Sequence, residues 1–327
     1  MIVNWTDKCD LHRHMGGSIS PETVMAIMRH SMPTRMMRTL GIGLDEVRDR
    51  MVCSKAGIGF PAFLEKFTIL DDLKWDDRAI DASIEQICQD LAAEGIAYTE
   101  ISLSINKYVA ANNWTPDDTV RFISDSFNRY SAKYGVKVGL LLSLRYDSNR
   151  DAQITYGNLI ELPIVQQTWC GIDLIGNEEH FDAEFYKPIF EKWGINGKTR
   201  RAHVGEMPDS GENVRAAIVE LGVNSIAHGI QADLDTLLMA VDRNVRFDLA
   251  LHSNITTGAW YDISTHPIRK MLDVGCKVTL NTDDPIQFQC SLDDEFNLAL
   301  SNNLISRSEA YELMGNAWGS SHISNSK

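Results

Sequence analysis

Two histidines two residues apart, His12 and His14, open a set of side chains suited to holding a divalent cation. Residues i and i+2 of a strand face the same way, so two imidazoles can reach one ion from a short stretch of backbone. Gly16 and Gly17 follow, and a turn without side chains lets a ligand approach the main chain closely. The plain alternative is two hydrogen-bonded or solvated histidines near a strand end. A third histidine, His203, stands in Arg201-Ala202-His203-Val204-Gly205-Glu206. Glu206, just beyond it, is placed as a proton shuttle that does not bind the metal, or else as a helix-start glutamate near a core histidine. Asp283 and Asp284 close Leu280-Asn281-Thr282-Asp283-Asp284, ahead of Pro285. Asp before Pro is a common helix cap, but at a strand end the two carboxylates can diverge, one to a metal and one to a water. His228, in Ile226-Ala227-His228-Gly229, is either a catalytic group or a satisfied core histidine. Together these types point to metal-assisted hydrolysis.

The elements that must position them recur along the chain. Eight runs rich in Val, Ile, Leu and Thr end in polar residues: Lys8–His14, Ala97–Leu103, Val136–Leu144, Cys170–Gly176, Thr199–Gly205, Ser225–Gly229, Val245–Leu251 and Lys277–Asp283. Amphipathic segments such as Thr119–Tyr134 and Glu212–Leu221 lie between them. Alternating strands and helices imply a parallel sheet, and eight repeats imply an α/β fold of the (β/α)8 TIM-barrel type. The reactive residues sit where the runs stop, which is the rim on which such barrels assemble their sites. Residues Ser20 to Gly95 form a mostly helical insertion after the first strand, placed to cover that rim. We read residues 1–327 as one metal-dependent hydrolase barrel domain.

Composition narrows the substrate. Thirty-one basic against 45 acidic residues give a net charge of −14, which repels a polymeric nucleic acid and favours a small ligand. Cys9, Cys53, Cys88, Cys170, Cys276 and Cys290 are scattered without CxxC spacing, as in a cytoplasmic protein with reduced thiols. No leader pattern is read at the N-terminus, no apolar stretch of membrane-span length is present, and the final residues are expected to fray.

With the motifs collected, the chain resembles the adenosine deaminase family of the amidohydrolase superfamily over nearly its whole length. LHRHMGGSIS resembles the first metal motif, HVGE the central motif, AHG and SNITTGAW the middle region, and HP and LNTDDP the closing motifs. The segment from Phe60 through Phe63 to Phe67 resembles an apolar gate, and IDLIGNE, with Gly176, a substrate loop. The resemblance implies one zinc ion per chain, held by His12, His14, His203 and Asp283. It implies Glu206 as proton donor to purine N1, and His228 and Asp284 as the groups that orient and activate the water. The Gly176 backbone would recognise the ring, and Asp284 would also contact N7. The implied reaction releases ammonia from the 6-amino group of adenosine or 2′-deoxyadenosine.

Three departures bear on the substrate. Gly16 stands where the family usually carries the Asp that binds the ribose 5′-hydroxyl, and Gly17-Ser18-Ile19-Ser20 resembles the branch acting on N6-modified AMP. Ser102 replaces a common Arg, and His252 stands in Ala-Leu-His-Ser-Asn where Cys-Pro is usual. Arg13 is assigned a helix-facing role, His252 a packing role, and Gly16, Ser18, Phe60, Phe63 and Ser102 join Gly176 and Asp284 as substrate-binding candidates. His30, His180 and His322 read as surface residues and His266, before Pro267, as a helix start. The alternatives kept open are deamination of adenine base or of a 5′-substituted or N6-modified, AMP-like adenine nucleotide, and a non-catalytic purine-binding protein on the same barrel.

Overall fold

The computed structural model describes residues 7–32 and 34–322. The N-terminal stretch in which no leader pattern is read lies partly, and the C-terminal stretch expected to fray lies mostly, outside the described residues. Parallel strands buried on both faces read as near-continuous apolar runs, and Leu140, Leu141, Leu142 and Leu144 of one strand are all buried. The strands are β1 (Lys8–His14), β2 (Ile96–Leu103), β3 (Lys137–Arg145), β4 (Trp169–Ile175), β5 (Thr199–Val204), β6 (Ser225–His228), β7 (Arg246–Leu249) and β8 (Lys277–Leu280). They pair in parallel in chain order.

The eight expected runs all fall on strands. The largest difference is at the last, read to Asp283, where the strand stops at Leu280. Asp283 takes a left-handed conformation, φ 61°, which ends regular pairing. From beyond the strand it still closes the sheet. Its N–H donates to the His12 carbonyl (2.8 Å) and its carbonyl accepts from the His14 N–H (3.0 Å), making an isolated bridge between the two ends of the barrel.

The expected insertion is six helices: α1 (Pro21–Ser31), α2 (Thr34–Thr39), α3 (Leu44–Met51), α4 (Phe60–Glu65), α5 (Thr68–Asp71) and α6 (Asp77–Glu94). The Asp76 side chain caps α6, which stops at left-handed Gly95 and feeds straight into β2. After β2 come α7 (Asn106–Asn112) and α8 (Pro116–Tyr134), the latter started by a reciprocal Thr115–Asp118 capping box.

Inside the barrel lies a floor of buried charges held mainly by ion pairs, although Arg201 Nε and Glu100 Oε2 have no hydrogen-bond partner. Arg246 Nε lies 2.5 Å from Asp248 Oδ1, and Arg201 Nη2 lies 2.7 Å from Asp173 Oδ2. Ser225 and Thr279 hydroxyls donate to Asp248 at 2.6 and 2.7 Å. All six cysteines are free thiols. Among the described residues no helix is long and apolar enough to cross a membrane.

Candidate active site

Above that floor the strand ends bring His12, His14, His203, His228, Asp283, Asp284 and Glu206 to one place. His12 Nε2 lies 2.9 Å from His203 Nε2, and His14 Nε2 lies 3.1 Å from the same atom. Asp283 Oδ1 is 3.3 Å from His12 Nε2 and 3.2 Å from His14 Nε2.

The far side of each ring shows what those contacts are. His203 Nδ1 lies 3.0 Å from Asp173 Oδ1. Burial pushes the Asp173 carboxyl up, but Arg201 and His203 outweigh it and hold it well below the usual range, so Asp173 accepts and His203 Nδ1 carries the hydrogen. His12 Nδ1 faces the Asp248 carbonyl at 3.3 Å and donates to it. Burial also lowers the His203 pKa to about 4, keeping the ring neutral. The two Nε2 atoms therefore meet lone pair to lone pair, which is repulsive unless a cation sits between them. Tetrahedral ligands at zinc distances of about 2.0–2.1 Å stand about 3.3 Å from each other, close to the spacings found here. The donor set fits a divalent cation, and the carboxylate and carbonyl behind the rings are the supports such ligands need.

His12, His203, His228 and Asp283 also gather donor atoms within 4.8 Å of one another, so His228 competes geometrically with His14 for the fourth place. Its Nε2 stands 3.8 Å from Asp283 Oδ2 and 3.7 Å from Glu206 Oε2. His228 and Asp283 both have left-handed backbones, φ 64° and 61°, a strain that persists in folded proteins mainly at functional sites.

Glu206 is buried, and its pKa is raised well above the usual value by burial first, then by Asp283, Glu178 and Asp284. A protonated carboxyl is what a donor to a ring nitrogen requires. Its turn is fixed by Glu178, whose carboxylate accepts the Gly205 N–H (2.7 Å), the Glu206 N–H (2.9 Å) and the Ser210 hydroxyl (2.9 Å). Asp284 is likewise buried with its pKa raised, by burial and then by Asp283, and its Oδ1 has no hydrogen-bond partner. A Cβ added at Gly17 would lie 1.8 Å from that oxygen, so Asp284 occupies space that only glycine leaves.

These groups open into a cavity of about 410 Å³. Gly16, Ser102 and Gly176 line it, with Phe60, Phe63 and Phe67 of the insertion on its apolar side. Phe63 stacks on Phe288, ring centroids 5.1 Å apart. Ser18 is not in the lining. Its hydroxyl turns away to the His14 carbonyl at 2.8 Å, which removes it as a direct contact.

Arg13 points out of the barrel to Asp10 Oδ2 (2.7 Å) and Glu94 Oε2 at the end of α6 (2.5 Å). His252 is held by Glu295, Nδ1 to Oε1 2.9 Å. His30 and His180 are exposed as expected, but His322 is not. His322 is half-buried against the Thr199 hydroxyl (3.2 Å). His266, though at a helix start, is buried and bonded to Asn254 (3.1 Å).

Sequence reasoning passed over Asp173, Asp248, Asn254, Lys107, Arg145 and the organising role of Glu178. An ionisable residue inside an apolar strand, as Asp173 and Asp248 are, was the available signal.

Comparison with known proteins agrees with this geometry. The adenosine deaminase family profile matches residues 7–327. An adenosine deaminase from Clostridium acetobutylicum is 30% identical over 305 residues, covering 91% of this chain and 87% of that protein. Among solved structures, the adenine deaminase from Arthrobacter aurescens superposes with a TM-score of 0.81 at 21% identity, covering 96% of this chain and 93% of that one. Arabidopsis ADAL complexed with IMP gives 0.80 at 20% identity, covering 95% and 91%. At these identities the structural likeness is one of fold.

Proposed function

The chain belongs to the adenosine deaminase family, and from that premise we propose that it hydrolyses the 6-amino group of adenosine or 2′-deoxyadenosine, releasing ammonia and leaving inosine or 2′-deoxyinosine. Residues 1–327 act as one barrel domain on this reading. One zinc ion per chain would be held by His12, His14, His203 and Asp283. Bound there, zinc supplies Lewis acidity that brings the pKa of water to about 7.

The remaining work falls to side chains. Gly176 presents its backbone to the purine ring. Protonated Glu206 gives its proton to N1, which makes C6 electrophilic. His228 and Asp284 orient the attacking water towards C6, and Asp284 also meets N7. Phe60 and Phe63 keep bulk water out, which strengthens each polar contact inside. One proton of the water passes to the departing amine and the other returns to Glu206, so collapse of the tetrahedral carbon forms the C6 carbonyl and expels ammonia.

The observation that carries this reading is the pairing of a cation-shaped focus of lone pairs with a buried Glu206, its pKa raised by burial and neighbouring carboxylates, in one cavity. The test is ammonia release from adenosine, deoxyadenosine, AMP and adenine, with and without a chelator. Chelator-sensitive release from a nucleoside is expected. Stoichiometric zinc with no release from any of the four would overturn the nucleoside reading and favour the non-catalytic purine binder or an N6-modified substrate.

A second reading, in which the substrate bears a 5′-phosphate, has its own support. Lys107 and Arg145 line the cavity, and Gly16 puts no carboxylate there. Both cations are partly engaged, Lys107 with Asp71 (3.6 Å) and Arg145 with Asp147 (3.0 Å). A higher kcat/KM for AMP than for adenosine would select this reading. Six free thiols support a cytoplasmic location.

A further inference from the structure

We propose that Asn254 and His266 are positioning residues that fix the proton of His228 on Nε2, making this histidine a hydrogen-bond donor into the site and not a metal ligand. The inference rests on the reading above, because it assigns a role within the same reaction. It starts from a donor that cannot be reversed, the backbone N–H of Ile268, which lies 3.2 Å from His266 Nδ1. That nitrogen must accept. Burial lowers the His266 pKa to about 3, so the ring is neutral and its single hydrogen is on Nε2.

His266 Nε2 lies 3.1 Å from Asn254 Oδ1 and donates to it. The Asn254 amide is then locked with its NH2 towards His228 Nδ1, at 3.0 Å. His228 Nδ1 accepts in turn. With Nδ1 accepting, the ring hydrogen sits on Nε2, which faces Glu206 and Asp283. All three side chains are buried, so water does not compete for these bonds.

The consequence separates the four clustered histidines. His12 and His203 have acceptors behind Nδ1, which free their Nε2 lone pairs. His228 has a donor behind Nδ1, which makes its Nε2 an N–H. A protonated nitrogen cannot ligate a cation, so the grouping with His14 is the ligand set, and His228 offers its hydrogen to the oxygen that attacks the ring.

The test is the nitrogen spectrum of histidine-labelled protein, metal-free and zinc-loaded, with His228 assigned by its couplings to ring protons. Wild type should show a bare Nδ1 and a protonated Nε2. Asn254→Asp keeps shape but leaves only acceptors against Nδ1, so a proton should appear on that nitrogen. It should also lower kcat by about 10²-fold or more, within the range a misplaced imidazole proton produces, with KM changed less than about threefold. His266→Leu should lower kcat by about 10-fold by freeing the Asn254 amide to turn, and His266→Gln, which retains a donor, should recover most of that loss.

A wild-type Nδ1 found protonated, or Asn254→Asp with unchanged spectrum and kcat, would overturn the proposal. If Asn254→Asp does not fold, the wild-type spectrum and the His266 pair still decide. Absence of deaminase activity in wild type would sink the functional reading alone, since the metal-free spectrum tests the tautomer independently.

Discussion

The barrel interior holds two layers of buried charge that differ in one respect. On the floor, every carboxylate has a guanidinium or hydroxyl against it: Arg246 with Asp248, Arg201 with Asp173, Ser225 and Thr279 with Asp248. On the rim, Glu206, Asp283 and Asp284 crowd together with four imidazoles, and among the described residues no guanidinium or ammonium is paired with any of these three carboxylates. Asp248 and the pair Glu206 and Asp284 shift in opposite directions. Burial pushes Asp248 up, but Arg246 outweighs it and holds it at about 2, whereas burial and like charge together raise Glu206 and Asp284. A charge layer that satisfies itself serves the fold, and one that does not is waiting for a ligand.

Substitutions should separate the layers, and the largest effect belongs to the rim. Glu206→Gln should lower kcat by about 10²–10⁴-fold while zinc content and melting temperature stay at or above wild type, measured by steady-state kinetics, metal analysis and calorimetry. Full turnover in that variant would remove Glu206 from the reaction. On the floor, Arg246→Met leaves Asp248 buried and unpaired and should cost about 3–5 kcal/mol in denaturant unfolding, with kcat of the folded fraction little changed. A collapse of kcat without loss of stability there would erase the distinction. Smaller is Gly17→Ala, whose methyl must displace Asp284. It should reduce kcat/KM by about 10–100-fold with zinc retained, the cost of moving one positioned group.

The finest discrimination comes from pH. Because the folded Glu206 pKa is raised, wild type loses stability as pH rises from the unfolded value near 4.5 towards the folded one. The stability advantage of Glu206→Gln over wild type should therefore grow across that window, by about 1.4 kcal/mol per pH unit at most, and vanish below it. Asp248 behaves oppositely, its contribution present above about 3.9 and lost as pH falls towards its folded value. Parallel unfolding curves of wild type and Glu206→Gln at every pH would contradict the raised pKa.

Much of this was legible in the sequence for a simple reason. Strands covered on both faces announce themselves as unbroken apolar runs, and the residues ending those runs must lie on one rim. His12, His14, His203, His228, Asp283 and Asp284 were found by that logic, and Phe60 and Phe63 by resemblance. The floor was not found, because Arg201, Asp173, Arg246 and Asp248 sit inside strands, and only the register of neighbouring strands shows that each meets its partner. Ser18 was misplaced because its direction is set by a bond to the His14 carbonyl that no spacing encodes. His266 was read as a helix start, which it is. That it also bonds Asn254 depends on how the connection between β7 and β8 folds back on the helix Leu251–Thr257.

The seam of the barrel has a consequence for how the protein comes into being. Asp283 joins the first strand to the last, and it meets His12 and His14 after more than two hundred intervening residues. A growing chain carries His12 and His14 from the outset but has no fourth donor until the eighth strand has been synthesised. Contacts of such long sequence separation form late. The focus of donors thus comes into being with ring closure, and a nascent or truncated chain lacks the means to grip the ion.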